Sequence, residues 1–260
     1  MAIFPTPPRN RLRLIARLGA LLSAMTGCME VHIPDPNVTY IAFGDSSTDG
    51  PTNRDYPEIL AEQLELSTDS IANEGAGGET AEDGLARLQG LFTGDIYPNA
   101  QVLLYWEGGN DLIDFVRSVD PLLLFSPNEA DYPFRDQLNA LLDDIHDQMA
   151  NAVQAGKDAG LKVYIATYFP MPEDIVICNP LPIGIILPVQ SERANHYVDL
   201  LNEEIRIVAF SKSAVLVDVA DAGDDIATDQ DNYYDCNHLS EAGNEIAAGV
   251  FREAIVAHSE

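Results

Sequence analysis

The sequence predicts an α/β domain of three layers, in which a five-stranded, mostly parallel sheet lies between two layers of helices. Short apolar runs typical of buried strands alternate along residues 38–257 with longer segments of helical periodicity. Strands joined through helices form parallel sheets that are covered on both faces. The composition agrees, because 46% of the 260 residues are hydrophobic and 22% are charged, as in globular proteins.

Five segments have the apolar, β-rich content of strands, and each ends in a turn or loop. These segments are 38–43, 70–73, 101–106, 161–168 and 214–219. Helices are predicted between and after them, at 56–66, 81–91, 134–159, 192–210 and 240–257. Thr80 is placed to cap the second helix, and Gly160 marks the end of the third.

Two long apolar connections, Leu112–Pro133 and Pro170–Gln190, follow the ends of the third and fourth strands. Ligands bind at such strand ends in open α/β sheets. The connections are therefore expected to wall a site suited to an acyl chain. The alternative is that they pack on each other or form an extra helix.

The N-terminus has the organisation of an export signal. Four arginines precede the apolar run 18–27, which is shorter than the roughly 20 residues of a membrane span. The run ends in Met-Thr-Gly-Cys28, which resembles a bacterial lipobox with Met in place of the usual Leu. We expect a signal peptide at 1–27, a lipidated Cys28, a tether at 28–37 and the folded domain at 38–260. The protein would be membrane-anchored, facing the periplasm or the exterior; ordinary signal cleavage is the alternative.

The charge is strongly acidic. Lys and Arg number 14 against 42 Asp and Glu, for a formal net charge of -28. Nucleic acid is therefore an unsuitable partner, since its binding needs a basic surface. The acidic surface has two interpretations: a hydrated shell adapted to salt, or simple solubility.

The cysteines fit an exported protein. Beyond Cys28 the chain has only Cys178 and Cys236, and an isolated pair in an oxidising compartment is often bridged. We expect a disulfide between them, and the alternative is two small buried apolar side chains. No CxxC or Cys/His cluster is present in the sequence, so a zinc site is not expected.

Hydrolytic chemistry is indicated by a serine and a distant acid–histidine pair. Ser46 lies in the turn Gly44-Asp-Ser-Ser47, where backbone N–H groups can face an oxyanion. Asp235 and His238 are three residues apart in a loop before a helix, a spacing that lets a carboxylate orient an imidazole. Taken singly, the first is a capping turn and the second is a surface pair.

Two further residues supply what a charged intermediate needs. A tetrahedral intermediate carries a negative oxygen that requires hydrogen-bond donors. Gly78 follows the second strand and Asn110 follows the third, so both should lie beside Ser46 at the same edge of the sheet. Each is alone consistent with an ordinary turn residue.

Together these segments resemble the four sequence blocks of the SGNH hydrolases, the GDSL-type esterases and lipases, and they occur in the family's order. The blocks are Phe43-Gly-Asp-Ser-Ser-Thr-Asp-Gly50, Asn73-Glu-Gly-Ala-Gly-Gly-Glu-Thr80, Glu107-Gly-Gly-Asn-Asp111 and Asp235-Cys-Asn-His-Leu-Ser-Glu-Ala-Gly243. The resemblance implies a flavodoxin-like SGNH hydrolase fold over most of the chain from residue 38 onward. It also implies a serine hydrolase that needs no metal or cofactor.

The resemblance assigns a role to each residue. Ser46 is the nucleophile, His238 is the base that Asp235 orients, and Gly78 N–H and the Asn110 side chain join Ser46 N–H in the oxyanion hole. The implied substrate is a small ester or lipid. The alternatives are a carbohydrate O-deacetylase of the same family and an exported binding lipoprotein without catalysis.

Two positions depart from the family pattern. Ser47 stands where many members have an apolar residue, and Cys236 stands where Gly is frequent. The second departure suggests that a bridge from Cys236 to Cys178 fixes the catalytic loop.

Overall fold

The sheet of the computed structural model contains the five strands that the sequence predicts. They are β1 (Tyr40–Gly44), β2 (Ile71–Gly75), β3 (Val102–Trp106), β4 (Lys162–Ala166) and β5 (Val215–Val217). Their order is β2-β1-β3-β4-β5, and every pairing is parallel. The structure describes residues 33–125, 131–172 and 188–259, and residues from Pro34 onward form one compact unit.

Helices connect the strands and cover the sheet. The described residues contain α1 (Tyr56–Gln63), α2 (Ala81–Thr93), α3 (Gly109–Ser118), α4 (Arg135–Asp158), α5 (Pro188–Lys212), α6 (Gly223–Ala227) and α7 (Glu241–Ala257). The Thr80 hydroxyl accepts the Asp83 N–H and caps α2, and Gly160 follows α4 with a φ of 83°, as predicted. None of these helices is long and apolar enough to cross a bilayer.

The two helical layers follow from the strand order. The crossover from β1 to β2 runs in the opposite direction to the crossovers from β2 to β3, β3 to β4 and β4 to β5. Since parallel crossovers are right-handed, α1 lies on one face and α2, α4 and α5 lie on the other. The packing agrees: α1 contacts α7, α2 contacts α4, and α4 contacts α5. The predicted three-layer α/β fold is confirmed.

The register of the central strands brings their carboxyl ends level. Gly44 of β1 is paired with Gly75 of β2 on one side and with Trp106 of β3 on the other. The residues that follow these three ends therefore leave the sheet at one edge. This alignment explains why sequence blocks far apart in the chain meet.

The connection after β3 differs from a plain loop. Helix α3 begins at Gly109, so the extra helix considered as an alternative for this segment is present. The signal was in the sequence: Leu112 and Phe115, three residues apart, are both buried. Gly108 and Gly109 concealed the start of this helix, because adjacent glycines are typical of a turn. Gly108 forms the N-cap with a φ of 116°.

Several expectations fall on residues outside the described part of the chain. These are the signal peptide, Cys28, Cys178 and most of the connection Pro170–Gln190. The last residues of the predicted tether are described, and they attach to the domain. Asp35 N–H donates to the Ile96 carbonyl oxygen at 2.8 Å, and Asn99 Nδ2 donates to the Pro36 carbonyl oxygen at 2.9 Å.

We predict that two isoleucines of α5 differ sharply in their contribution to stability. Ile205 is fully buried (0% exposed), whereas Ile207 is 45% exposed. Replacing Ile205 by Ala should lower the free energy of unfolding by about 2–5 kcal/mol, because it removes buried methyl groups and leaves a cavity. The Ile207→Ala control makes the same change in the same helix and should cost less than about 1 kcal/mol. Equal losses for both variants in urea unfolding would contradict this packing.

Candidate active site

Ser46 lies in a turn that Asp45 organises. The Asp45 carbonyl oxygen accepts the N–H groups of Thr48 at 3.0 Å and Asp49 at 3.2 Å. One oxygen of its side chain accepts the Ser47 N–H at 2.7 Å. The turn leaves β1 at Gly44, where a Cβ would overlap the Trp106 carbonyl oxygen and the Thr48 hydroxyl. Glycine is therefore required at this position.

The loop before α7 carries the acid and the imidazole. The Asp235 carboxylate accepts the backbone N–H groups of Asn237 and His238, both at 3.0 Å. Tyr234 N–H donates to the His238 carbonyl oxygen at 2.9 Å and closes the turn. These hydrogen bonds hold Asp235 and His238 close together in one turn. Ser240 caps the helix that follows.

The structure brings Ser46, His238 and Asp235 into one hydrogen-bonded chain. His238 Nδ1 lies 2.8 Å from Asp235 Oδ2, and His238 Nε2 lies 2.9 Å from Ser46 Oγ. Because an ionised carboxylate only accepts, Nδ1 carries the proton and Nε2 accepts from the serine hydroxyl. Burial alone would raise the pKa of Asp235, but the hydrogen bonds from His238 and Asn237 lower it below its ordinary value. Asp235 is therefore ionised at neutral pH.

Gly78 and Asn110 also lie at this edge. Glu79 N–H donates to the Ala76 carbonyl oxygen at 3.1 Å, which closes a β-turn with Gly78 in third place at a φ of 85°. Only glycine adopts this conformation readily. In the same turn, a Cβ on Gly77 would lie 3.8 Å from Ser46 Cβ. Asn110 Nδ2 donates one hydrogen to the Glu79 carbonyl oxygen at 2.9 Å, and no other described residue accepts from it, so its second hydrogen can bind a ligand.

Cys236 lies inside the acid–histidine loop. It is buried, with 1% exposed, and it is disulfide-bonded. The predicted partner, Cys178, lies outside the described residues, so the pairing stays a prediction. A disulfide at this position ties the loop that holds His238 to another part of the chain.

An apolar pocket opens beside Ser46 and Asn110. Side chains of two helices form its walls: Leu112, Ile113 and Val116 of α3, and Ala194, Val198 and Leu201 of α5. Leu123 and Met171 add to the lining, so the described ends of both long connections contribute to the site. The pocket pairs a polar centre with an apolar wall.

Two buried carboxyl groups and one partly buried carboxyl group lie near the site. Burial raises the pKa of Asp45, and it raises the pKa of Asp111, whose carboxyl accepts the Ala81 N–H at 2.9 Å, to about 6. Burial, with Asp45 and Glu79 nearby, raises the pKa of Glu107 to about 12. Glu107 is therefore protonated at neutral pH. Across the described residues, no group of three His, Cys, Asp or Glu is arranged to hold a metal ion.

The remaining described histidines lie elsewhere. His146 Nδ1 bonds to Glu204 at 2.8 Å, the His196 ring packs on Phe125, and His258 is exposed at the C-terminus. Sequence reasoning missed Tyr168, whose hydroxyl donates to Asp45 Oδ2 at 2.7 Å. Its position at the end of the fourth predicted strand was the available signal.

We predict that Glu107→Gln makes stability less dependent on pH. The folded-state pKa of Glu107 lies above its unfolded value of 4.5. Its contribution to stability is therefore complete below pH 4.5 and is lost as the pH rises. Relative to wild type, the variant should gain up to about 1.4 kcal/mol of unfolding free energy per pH unit between pH 5 and 8. Glu253→Gln, on the exposed surface of α7, is the control, and parallel pH profiles for Glu107→Gln and wild type would refute the assignment.

Solved structures with the same fold include two kinds of ester hydrolase. A GDSL-like lipase from Bacteroides thetaiotaomicron VPI-5482 is 14% identical, with 93% of this chain and 97% of that chain covered at a TM-score of 0.55. An acetyl xylan esterase is 20% identical, covering 84% and 100% at 0.56. A catalytic mutant of an acetylxylan esterase from Geobacillus stearothermophilus is 16% identical, covering 86% and 96% at 0.57. At these identities the similarity shows the fold.

The sequence itself matches a family. No curated protein sequence matches the chain as a relative, but residues 42–246 match the model of the GDSL-like lipase/acylhydrolase family. The match runs from the middle of β1 to the first turns of α7 and includes every residue of the Ser46–His238–Asp235 chain. The chain therefore belongs to the GDSL-like lipase/acylhydrolase family, and it is an ester-hydrolysing enzyme.

Proposed function

We propose that the protein is a serine esterase that hydrolyses carboxylic esters of apolar acyl chains through a Ser46–His238–Asp235 triad. The observation that carries this proposal is the 2.9 Å contact between His238 Nε2 and Ser46 Oγ, continued to Asp235 through Nδ1. A serine hydroxyl is a weak nucleophile unless a base accepts its proton, and an oriented neutral imidazole is the usual base.

In the first half of the reaction, Ser46 Oγ attacks the ester carbonyl carbon while His238 Nε2 takes the hydroxyl proton. The carbonyl oxygen becomes negative and accepts hydrogen bonds from Ser46 N–H, Gly78 N–H and the free hydrogen of Asn110 Nδ2. The bond to the alcohol oxygen then breaks, and His238 donates its proton to the departing alcohol. Ionised Asp235 stabilises the imidazolium that forms in between.

In the second half, water replaces the alcohol. His238 Nε2 takes a proton from water, and the resulting hydroxide attacks the carbonyl carbon of the acyl-enzyme. The same three donors hold the second oxyanion. The bond to Ser46 Oγ breaks and His238 returns the proton to Ser46, which releases the carboxylic acid and restores the enzyme.

The apolar pocket supports an acyl chain as the substrate's larger part. Its walls come from aliphatic side chains of α3 and α5, and burying each methylene contributes about 0.8 kcal/mol. Two of the structural neighbours are acetyl xylan esterases, so an O-deacetylase that acts on acetylated carbohydrate is the second candidate. An acetyl group has no chain to fill the pocket.

The same proposal extends to location. The basic segment, apolar run and Cys28 support an exported lipoprotein whose acyl chains anchor it to a membrane. A membrane-anchored esterase would meet lipid esters at the surface that holds it.

We predict that the triad variants lose nearly all turnover. Ser46→Ala and His238→Ala should each lower kcat by about 10⁶, and Asn110→Ala by about 10² to 10³ because one oxyanion donor is lost. His146→Ala is the matched control, since His146 also bonds to a carboxylate but lies outside this site. Hydrolysis of 4-nitrophenyl butyrate measures all four. Wild-type turnover by Ser46→Ala would refute the proposed nucleophile.

We predict that filling the pocket changes chain-length preference. Ile113→Trp should lower kcat/KM for 4-nitrophenyl octanoate at least about tenfold more than for the acetate ester, because only the longer chain needs the space. Ile207→Trp, on the exposed part of α5, is the control.

The competing deacetylase makes the opposite prediction. Such an enzyme would prefer acetylated xylan to octanoate esters in the wild-type protein, and Ile113→Trp would affect acetate and octanoate esters equally. Either result would exclude the acyl-chain assignment while leaving the triad in place.

A further inference from the structure

We propose that Tyr168 is a positioning residue that sets the separation of Ser46 from Asn110. The inference rests on the proposed function, because it concerns the nucleophile and the oxyanion donor named there. Tyr168 lies just beyond the C-terminal end of β4. It belongs to none of the four sequence blocks.

One hydroxyl joins the two catalytic turns. Tyr168 Oη donates to Asp45 Oδ2 at 2.7 Å, and Tyr168 Oη itself accepts the Gly109 N–H at 3.0 Å. Asp45 immediately precedes Ser46, and Gly109 immediately precedes Asn110. The hydroxyl therefore spans the gap between the nucleophile turn and the start of α3.

Tyr168 is itself held from the other side. Its N–H donates to Asn202 Oδ1 at 2.7 Å, and Asn202 Nδ2 donates to its carbonyl oxygen at 2.8 Å. Tyr168 is 8% exposed and Asn202 is 2% exposed. The bridge is thus anchored to α5 by a pair of buried hydrogen bonds, which leaves little freedom for the ring.

The fit at Gly109 shows how closely the ring approaches α3. A Cβ on Gly109 would lie 2.8 Å from Tyr168 Cε1, closer than two carbon atoms pack, and 3.3 Å from Asp45 Oδ2. Gly109 is therefore needed for the ring to reach the helix N-terminus. The ring also packs on Trp106, with centroids 5.9 Å apart.

The Tyr168 hydroxyl does not ionise near neutral pH. Burial, together with the nearby carboxylate of Asp45, raises the pKa of the Tyr168 hydroxyl well above its ordinary value. The hydroxyl therefore keeps its proton and continues to donate to Asp45 while it accepts from Gly109. No titration of Tyr168 competes with the bridge near neutral pH.

Such a bridge matters because oxyanion stabilisation depends on position. A misplacement of about 1 Å can cost about 10²-fold in rate, and the donor must face the oxyanion rather than the ground-state carbonyl. Loss of the bridge should therefore lower kcat and leave KM nearly unchanged.

A double-mutant cycle with Asn110 tests the proposal. Tyr168→Phe keeps the ring and removes only the hydroxyl, and it should lower kcat for 4-nitrophenyl butyrate about tenfold with KM within about twofold of wild type. In an Asn110→Ala background the same change should cost less than about twofold, because the donor that it positions is absent. Tyr132→Phe is the matched control: Tyr132 is also buried and donates to a buried carboxylate, Asp120, at 3.0 Å. It should leave kcat unchanged.

Titration with a fluorophosphonate measures the concentration of active sites in each preparation. Each kcat is calculated from that concentration, so partial unfolding of a variant does not obscure the result. A kcat of Tyr168→Phe within twofold of wild type overturns the proposal. So does a tenfold loss that persists in full beside Asn110→Ala, since the hydroxyl would then act independently of the donor. Activity in Ser46→Ala is a different failure: it would remove the proposed function itself.

Discussion

The level ends of three parallel strands are the constraint from which the site follows. Gly44, Gly75 and Trp106 share one row of the register, and the turns that leave them carry Ser46, Gly78 and Asn110. This row requires glycine at two positions. A Cβ on Gly75 would overlap Asp49, and a Cβ on Gly44 would overlap the Trp106 carbonyl oxygen. The two glycines cost backbone entropy on folding, and they allow the nucleophile turn to lie directly against its neighbours.

The fold was largely predictable because most of its strands are apolar, β2 with Asn73 and Glu74 being the exception. A buried parallel strand needs no partner information to be recognised, and all five predicted strands are present within a few residues of their predicted bounds. The boundaries of α3 were not predictable in the same way. A helix that starts at a glycine with positive φ has no capping side chain, so its beginning looks like the turn it replaces.

Some residues of the site were likewise predictable from the sequence, and others were not. Ser46, Asp235 and His238 were predictable because the acid and the imidazole are close in sequence and the serine lies in a recognisable turn. Tyr168 was not, since its partner Asp45 is 123 residues away and only the sheet brings them together. The protonation of Glu107 has the same origin: a glutamate after a strand reads as a surface residue until the packing of the neighbouring turn encloses it.

Two histidine–carboxylate pairs in this protein show what position adds to chemistry. His146 with Glu204 and His238 with Asp235 have the same 2.8 Å bond through Nδ1 and similar partial exposure. The first pair joins α4 to α5 and does not line the pocket beside Ser46. The second lies at the carboxyl edge, where a serine hydroxyl is 2.9 Å from Nε2. The bond to the carboxylate orients the imidazole in both pairs. Only His238 faces the turn after β1, where the Ser46 hydroxyl provides a proton for Nε2 to accept.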